Sequence, residues 1–373
     1  MVERSDVIII GGGVAGSTAA IVLARHNLQV TIVEREADFR DRVRGEGIHP
    51  WGMNEVTALD LEGIIASSDG CRLPEWRTWE KGELANTSIW ADSTLDGAVE
   101  TSVVHTSLQN QMLAEAEHCG VHVHRPARPV RARYSAGVHE VTIWSAGADR
   151  TIVAPTLIAA DGARSWVCTQ YGIARHQDPV HHWIVGLSVA NHCLDPVATH
   201  AVAIEGGRSF IFPQQNGLAR MYLVLRNDGI DPIRRDRIGT AALALPAVNL
   251  PTDALIKATL AGPQGAFPNG DTWPEPHAVP GLLLIGDAVG SNDPSQGHGL
   301  SLVMRDAREL RDIIGRGDRL DLANLAALEG NFRSYRQTLR TVGQWAARLW
   351  MTVGDEAELR RERFLTARES DPD

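Results

Sequence analysis

The beginning of the chain places one amphipathic stretch between two short apolar runs. Residues 6–10 form an apolar run that ends in three consecutive glycines, and residues 29–34 form the second run. Between them, residues 14–25 carry Ala19, Val22 and Leu23 on one face at helical spacing. This pattern predicts a strand, a helix and a second strand, which is the βαβ opening of a parallel sheet.

The rest of the chain passes from mixed helix and strand to a sheet-rich middle and then to a helical end. Apolar spacing predicts helices at residues 107–118, 238–244, 300–314 and over most of 322–363. Strands are expected at residues 122–124, 130–134, 138–144, 150–154, 156–160, 208–212, 220–225 and 281–285, the second to fourth of which form a meander. Disorder is expected after Thr366.

These elements predict an α/β protein with a Rossmann-like domain, an inserted sheet-rich substrate domain and a C-terminal helical segment. The changes in predicted secondary structure along the chain suggest that residues 1–182 and 273–320 form the two parts of the dinucleotide-binding domain. Residues 183–272 would form the substrate domain and residues 321–373 the helical segment.

Charge and cysteine content narrow the class of protein. The formal net charge of −10 argues against nucleic acid or an anionic membrane as the main partner. The four cysteines form no CxxC pair, so reduced thiols in a cytoplasmic protein are expected, with no metal site. We see no signal peptide and no membrane-spanning run. The adjacent His181 and His182 are interpreted as surface or loop histidines.

The first candidate site is Gly11-x-Gly13-x-x-Gly16, between the first strand and the helix. A tight turn, a close pyrophosphate and a close helix–sheet contact each require a residue without a side chain. Val14 and Ala15 begin the helix, whose free N–H groups would face the phosphates. Glu34 ends the second strand, where it can accept hydrogen bonds from a ribose diol, and Arg35 follows it. This site predicts a dinucleotide without a 2′-phosphate, and it leaves NAD and FAD open.

Two further motifs favour FAD, because an extended FAD needs more contacts than one glycine turn provides. Asp161-Gly162 follows a buried strand in mid-chain, and Gly286-Asp287 follows another. Asp287 can bind ribityl hydroxyls. Within residues 294–300, the Gly297–Gly299 stretch opens a helix whose N-terminal dipole can stabilise negative charge on a reduced flavin.

In this order the motifs resemble those of the single-component FAD-dependent aromatic hydroxylases, the flavin monooxygenase class of para-hydroxybenzoate hydroxylase and the tetracycline-inactivating monooxygenases. The resemblance covers about residues 5–345 and implies a GR2-type flavoprotein fold. It implies that Arg44, His105 and Gln109 also contact FAD or lie on the nicotinamide path, and that Arg44 and His298 contribute to catalysis. The remaining FAD contacts implied are Gly11, Gly13, Val14, Ala15, Gly16, Glu34, Arg35, Asp161, Gly162, Asp287, Pro294, Gly297, His298, Gly299 and Leu300.

The resemblance further implies that NADH or NADPH reduces FAD and that a C4a-hydroperoxyflavin transfers oxygen to a small, aromatic or polycyclic substrate. The expected partners are this substrate and O2, in a monomer or homodimer. Cys168 stands where the family usually has Arg, which puts NAD(P)H binding in doubt. The substrate should lie between the flavin and the inserted sheet, with residues 208–213 and 221–225 as walls.

Four alternatives remain. A reductase or desaturase of the geranylgeranyl reductase type shares the motifs. A flavin-dependent halogenase usually carries Trp-x-Trp-x-Ile-Pro, and Trp76 and Trp79 have the wrong spacing for it. An NAD-dependent dehydrogenase leaves Gly286-Asp287 unexplained, and a non-catalytic flavin-binding protein is the fourth alternative.

Overall fold

The computed structural model describes residues 2–43, 45–227, 229–235, 238–251, 253–317, 320–352 and 354–370, with backbone only at 232, 234, 235, 238, 368 and 369. Its strands are β1 (Val2–Arg4), β2 (Val7–Ile10), β3 (Val30–Val33), β4 (Gly47–Ile48), β5 (Cys71–Leu73), β6 (Glu75–Glu80), β7 (Glu83–Ile89), β8 (Glu100–Ser102), β9 (His122–His124), β10 (Ala127–Ser135), β11 (Val138–Ser145), β12 (Ala148–Ala154), β13 (Thr156–Ala159), β14 (Arg175–Gln177), β15 (His182–Ala190), β16 (Ala198–Ile204), β17 (Gly207–Pro213), β18 (Leu218–Leu225), β19 (Thr259–Asn269), β20 (Thr272–Pro274) and β21 (Leu282–Leu284). Its α-helices are α1 (Val14–Arg25), α2 (Pro50–Ala58), α3 (Glu62–Ala66), α4 (Trp90–Ser93), α5 (His105–His118), α6 (Trp166–Gln170), α7 (Ile230–Arg235), α8 (Ile238–Ala247), α9 (Gly299–Gly315), α10 (Leu322–Trp350) and α11 (Asp355–Ser370). The mixed α/β architecture is the one predicted.

A parallel sheet in the order β21-β13-β2-β3-β9 combines four strands from the first half of the chain with β21 from the second. Every residue of β2, β3, β13 and β21 is buried, as expected for continuous apolar runs in a sheet covered on both faces. Helix α1 packs against α5 and α9, and the sheet β1-β12-β11-β10, which contains the predicted meander, packs against β2, β3 and β13. The carboxyl ends of β2, β13 and β21 therefore lie side by side, and the three candidate motifs follow these ends.

The sheet-rich middle forms a second sheet in the order β19-β15-β18-β17-β16-β6-β7. It also contains β6 and β7, from residues that the sequence places in the first part of the dinucleotide-binding domain. Strand β6 joins by parallel pairing with β16. A separate core that includes Val185, Leu187, Ile211, Met221 and Leu223 packs beneath α7 and α8. The predicted domain boundaries stay a prediction.

Two helices form the C-terminal part. Helix α10 packs against α9 and β21, and α11 packs against α10. Helix α11 extends to Ser370, the disorder expected after Thr366 stays a prediction, and residues 371–373 lie outside the described residues. None of the described helices combines the length and the apolar character that crossing a membrane requires.

Candidate functional site

The first glycine turn is packed against the end of β13. Gly11 has a φ of +104°, and a Cβ there would lie 2.4 Å from the carbonyl oxygen of Ala160. A Cβ on Gly16 would lie 1.9 Å from the carbonyl oxygen of Gly11. Both glycines are therefore required by the close approach of the strand, turn and helix. The contact with Ala160 also brings the first motif against Asp161.

The N-terminus of α1 is open to an anion. Its N-cap is Gly13, no side chain caps it, and its first turn carries no acidic residue. A Cβ on Gly13 would meet only the Gln109 amide nitrogen, at 3.7 Å, so there is space before the helix. Unpaired N–H groups and the helix dipole make this position suitable for a phosphate. Val14 is buried and Ala15 half-buried behind it.

Glu34 is buried beside the same turn. Its Oε2 accepts a hydrogen bond from the Gly12 N–H at 2.7 Å, and its Oε1 accepts one from the Glu36 N–H at 2.7 Å. A carboxylate has further lone pairs, so these bonds fix the side chain without exhausting its capacity to accept. Arg35 is exposed, and its Nε lies 3.3 Å from a carboxylate oxygen of Glu36.

The Gly286-Asp287 motif lies against the start of α1. It forms a 3-10 turn, in which Gly286 has a φ of +57°. A Cβ on Gly286 would lie 2.8 Å from the Cβ of Ala15. The Gly286 N–H donates to Oδ2 of Asp306 on α9 at 2.9 Å. Asp287 is exposed, at the edge of the turn.

Asp161 has a structural as well as a candidate binding role. Its Oδ2 accepts a hydrogen bond from the Val167 N–H of α6 at 3.0 Å. Its Oδ1 is buried and has no hydrogen-bond partner among the described residues. Burial raises the pKa of this carboxyl, and hydrogen bonds, first from Ser165, oppose the increase. Gly162 follows with a φ of +83°, a conformation that favours glycine.

The loop at residues 294–300 ends in the open N-terminus of α9. Pro294 starts a 3-10 turn, and Gly297 continues in the left-handed region at a φ of +70°. No side chain caps α9, and no acidic residue lies in its first turn, which begins with Gly299 and the buried Leu300. His298 is the N-cap. This arrangement is the one predicted, and its dipole favours negative charge in front of the helix.

The surroundings of His298 favour the neutral form of its imidazole ring. Burial, and then the nearby His49, lower its pKa to about 4. Its Nδ1 is buried with no partner among the described residues, and its ring lies 4.8 Å from that of His49. His49 in turn contacts the Gln296 carbonyl oxygen through Nε2 at 2.8 Å. The segment that contains His49 is thus docked onto the 294–300 loop.

The segment from Asp41 to His49 also contacts α5. His105 lies near Gly45, with its Nδ1 2.8 Å from the Gly45 carbonyl oxygen, and burial lowers its pKa. Arg44, for which the sequence predicts a role with FAD phosphates and NAD(P)H, lies outside the described residues.

A buried charged cluster that the sequence analysis missed joins this segment to the large sheet. Arg220 is 3% exposed, and it lies 2.6 Å from a carboxylate oxygen of Asp41 and 3.1 Å from one of Glu46. Tyr222 donates a short hydrogen bond to Glu46. Burial raises the pKa of Glu46 to about 7, although Arg220 opposes the increase. The sequence feature that could have indicated this cluster is the single arginine within the apolar strand at residues 218–225.

A cavity of about 810 Å³ lies between the large sheet, the end of α10 and the 294–300 loop. Of the predicted walls, Arg208, Phe210 and Val224 line it, whereas Met221 is buried in the core beneath α7 and α8. The Arg208 guanidinium lies 5.0 Å from the ring centre of Trp350. The lining also includes Trp76, Trp90, His49, His182, Asp293, Gln296 and His298. The cavity therefore combines aromatic walls with imidazoles beside the flavin-motif loop.

The interpretation of His181 and His182 as surface or loop histidines is wrong for His182. Its side chain is 1% exposed and lines this cavity. His182 begins β15, so its backbone is held in the sheet and its ring is fixed against Asp293.

Comparison with known proteins agrees with this geometry. Residues 4–316 match the FAD binding domain family, and the chain belongs to that family. Squalene epoxidase 2, mitochondrial, of Arabidopsis thaliana is 26% identical over 95% of this chain, which spans only 62% of that relative. Menaquinone reductase of Mycolicibacterium smegmatis is 25% identical, over 87% of this chain and 80% of the relative. The structure of p-nitrophenol 4-monooxygenase from Pseudomonas putida DLL-E4 shares the fold, with a TM-score of 0.81, 18% identity and coverage of 98% and 93% of the two chains.

FAD, the cofactor of this family, agrees with the groups present. The three motifs converge at the carboxyl ends of parallel strands, the usual ligand position in such sheets. The open N-terminus of α1 suits the pyrophosphate, and the Asp161 Oδ1 atom is a buried acceptor that no other described residue satisfies. The contacts of Gly11, Gly16 and Gly286 leave no room for side chains at the turns that bring the motifs together.

Proposed function

We propose that the protein is an FAD-dependent monooxygenase that uses NAD(P)H and O2 to oxygenate a small aromatic or polycyclic molecule. The observation that carries this proposal is the aromatic cavity that opens onto the 294–300 loop. A planar substrate can stack on Trp76, Trp90 or Phe210 within reach of that loop. The match to the FAD binding domain family supports the cofactor.

In this proposal, different groups of residues bind different parts of FAD. Gly11, Gly13, Val14, Ala15, Gly16, Glu34 and Arg35 would hold the ADP half, with His105, Gln109, Asp161 and Gly162 beside the phosphates. Asp287 would bind the ribityl chain, and Pro294, Gly297, His298, Gly299 and Leu300 would adjoin the ring. When bound, FAD supplies redox chemistry, accepting electrons from NAD(P)H and delivering them to O2.

The side chains near the ring would keep that region dry and electrostatically ordered. The first turn of α9 presents N–H groups, which stabilise negative charge in front of the helix. His298 and His49 are largely buried, and burial lowers the pKa of each. Neutral imidazoles can donate or accept a hydrogen bond near an oxygen atom without adding a charge.

The reductant has no separate dinucleotide motif in this sequence, since FAD would occupy the only glycine triplet of this type. NAD(P)H would then dock transiently and require a basic residue for its phosphates. The sequence points to Arg44, and next to Arg164, which is exposed beside Asp161-Gly162. Neither NADH nor NADPH is favoured. A cytoplasmic location and a monomeric or homodimeric state are part of the same proposal.

Incorporation of oxygen tests this function. Purified protein should show flavin absorbance, and a panel of phenols and polycyclic aromatics should be screened for stimulation of NAD(P)H oxidation. Products formed under isotope-labelled O2 should contain one labelled oxygen. Gly13→Val is the matched control, since its side chain would occupy the phosphate space and the variant should be free of FAD.

A reductase is the second candidate, favoured by the similarity to menaquinone reductase over 80% of that relative. It predicts that a quinone or an isoprenoid double bond is reduced under anaerobic conditions, with no labelled oxygen in any product. That result would replace the monooxygenase proposal.

A further inference from the structure

Three side chains form a continuous chain from the cavity to the protein surface. His182 is 1% exposed and Asp293 4% exposed, and both line the cavity. His182 Nε2 lies 3.3 Å from Oδ1 of Asp293. On its other side, His182 Nδ1 lies 2.7 Å from Nδ1 of His181, which is half-exposed. A path made of one carboxylate and two imidazoles therefore leads outward from the cavity.

The contacts of His182 stabilise two positions of its proton. The Asn269 amide nitrogen lies 3.1 Å from Nε2, so it can donate to this atom when the atom carries no proton. The Asp293 carboxylate stabilises the opposite state, in which Nε2 is protonated. An imidazole whose two tautomers both have partners can accept a proton at one nitrogen and release another proton from the second.

Charged groups face this path from several elements. Burial acts to raise the pKa of Asp293, but its contact with His182 lowers this pKa overall, so Asp293 rests as a carboxylate that can accept a proton. Arg340 forms a bidentate pair with Asp178, at 2.6 and 2.7 Å, which neutralises both groups. Asp271 and Asp293 remain as buried carboxylates on the same side of the molecule. Burial, then Asp293 and Asp178, raise the pKa of Asp271 to about 7. Burial, followed by His182, lowers the pKa of His181, while Asp293 and Asp178 oppose this decrease.

The proposed reaction consumes one proton: NAD(P)H, H⁺, O2 and substrate give NAD(P)⁺, oxygenated substrate and water. We propose that Asp293, His182 and His181 carry this proton from the surface into the cavity, an inference that rests on the proposed function.

Each transfer in this path breaks one bond to hydrogen and forms another. A hydronium ion or a buffer acid in the solvent protonates His181 Nε2, and His181 passes its Nδ1 proton to His182 Nδ1. His182 then gives its Nε2 proton to Asp293, which becomes a neutral acid facing the cavity. Asp293 then releases its proton into the cavity, and tautomer exchange at the two imidazoles restores the starting state.

Variants of the outer histidine test the path, because His181 is half-exposed and its replacement should not disturb the core. Nuclear magnetic resonance of nitrogen-labelled histidines in the oxidised holoprotein should show that His181→Gln shifts the titration of His182. His176→Gln is the matched control, because His176 is an exposed histidine near the same region that pairs with Glu275 and does not line the cavity. It should leave the His182 titration unchanged.

A kinetic experiment needs neither NAD(P)H nor substrate. FAD on the enzyme is photoreduced, and its reoxidation by O2, which consumes one proton and releases H2O2, is followed by stopped-flow absorbance. His181→Gly and His182→Phe should be slower by about 100-fold or more, the range expected when proton-transfer catalysis is lost. Added imidazole should restore the rate of His181→Gly, since it can replace the missing ring.

The proposal would be overturned if the wild type and His181→Gly were reoxidised at equal rates. It would also be overturned if His181→Gln left the titration of His182 unchanged. A change in the histidine resonances after dialysis against a chelator would also overturn it, because the cluster would then hold a metal ion. These outcomes are separate from failure of the proposed function, which would appear as missing product oxygen while the histidines remain coupled.

Discussion

Replacing Arg336 with methionine should weaken both the fold and FAD binding, because Arg336 neutralises a carboxylate that holds the Gly286-Asp287 turn. The guanidinium donates from its two terminal nitrogens to the two oxygens of Asp306, at 2.9 and 2.7 Å. Arg336 is 5% exposed and Asp306 is 2% exposed. Asp306 also accepts the Gly286 N–H, and the Arg336 Nε donates to the Gly290 carbonyl at 3.2 Å.

The magnitude follows from the burial of the pair. Removing one partner leaves an uncompensated charge in the interior, which costs about 3–5 kcal/mol. This is a large part of the ~5–15 kcal/mol by which typical proteins are stable. In the double variant Arg336→Met with Asp306→Asn, no buried charge is left, and the asparagine retains an acceptor for Gly286. The double variant should therefore be more stable than the single variant.

Urea unfolding of the apoprotein, followed by circular dichroism, gives the change in the free energy of unfolding. Titration with FAD, followed by flavin fluorescence, gives the affinity. The control is Arg305→Met on α9, since Arg305 lies near the surface and pairs with Glu309 at 3.4 Å. Its loss should cost less than about 1 kcal/mol. If Arg336→Met matches this control in stability and binds FAD normally, the reasoning is refuted.

Two further predictions concern Asp287 and Glu100. Asp287→Ala should lower FAD affinity by about 1–3 kcal/mol, as expected for a lost hydrogen bond to a charged group, and unchanged affinity in the folded variant would remove Asp287 from the site. Glu100 is 2% exposed and accepts a hydrogen bond from Thr199, and burial raises its pKa to about 7. The folded protein therefore binds the Glu100 proton more tightly than the unfolded chain does. The resulting stabilisation, about 3 kcal/mol, is fully present below the ordinary carboxyl pKa. It is lost as the pH rises through 7, the pKa of Glu100 in the folded protein. Glu100→Gln should remove that part of the dependence in urea titrations across this pH range, and an unchanged slope would contradict it.

The sequence predicted those parts of the site that depend on local backbone constraints. Gly16 is required by its contact with Gly11 within one strand–turn–helix unit, and Gly11 and Gly286 have positive φ at the ends of their strands, so all three leave a recognisable local spacing. Their convergence could also be predicted, because the carboxyl ends of parallel strands share one edge of a sheet. The meander was predicted for the same reason, since its strands alternate around short turns.

Long-range pairing could not be predicted in the same way. Strand β7 is exposed at every position, so residues 83–89 lack the alternation that marks a half-buried strand. Strand β6 pairs in parallel with β16, which lies more than a hundred residues further along the chain. Arg220 satisfies its charge with Asp41 and Glu46, and no local pattern indicates such distant partners. Burial of His182 likewise depends on Asp293 and Asn269, which belong to other strands and turns.

Helix α10 is a structural part of the site, although the family match ends at residue 316. Helix α10 supplies Arg336, which neutralises the carboxylate that binds the Gly286 N–H. One turn further on, Arg340 pairs with Asp178 beside the His181–His182 path, and Trp350 forms a wall of the cavity. Substitution of Arg336 should therefore affect the Gly286-Asp287 turn, substitution of Arg340 the His181–His182 path, and substitution of Trp350 the cavity. The helix thus links the FAD-binding sheet to the cavity through the buried Arg336–Asp306 pair and the half-buried Arg340–Asp178 pair.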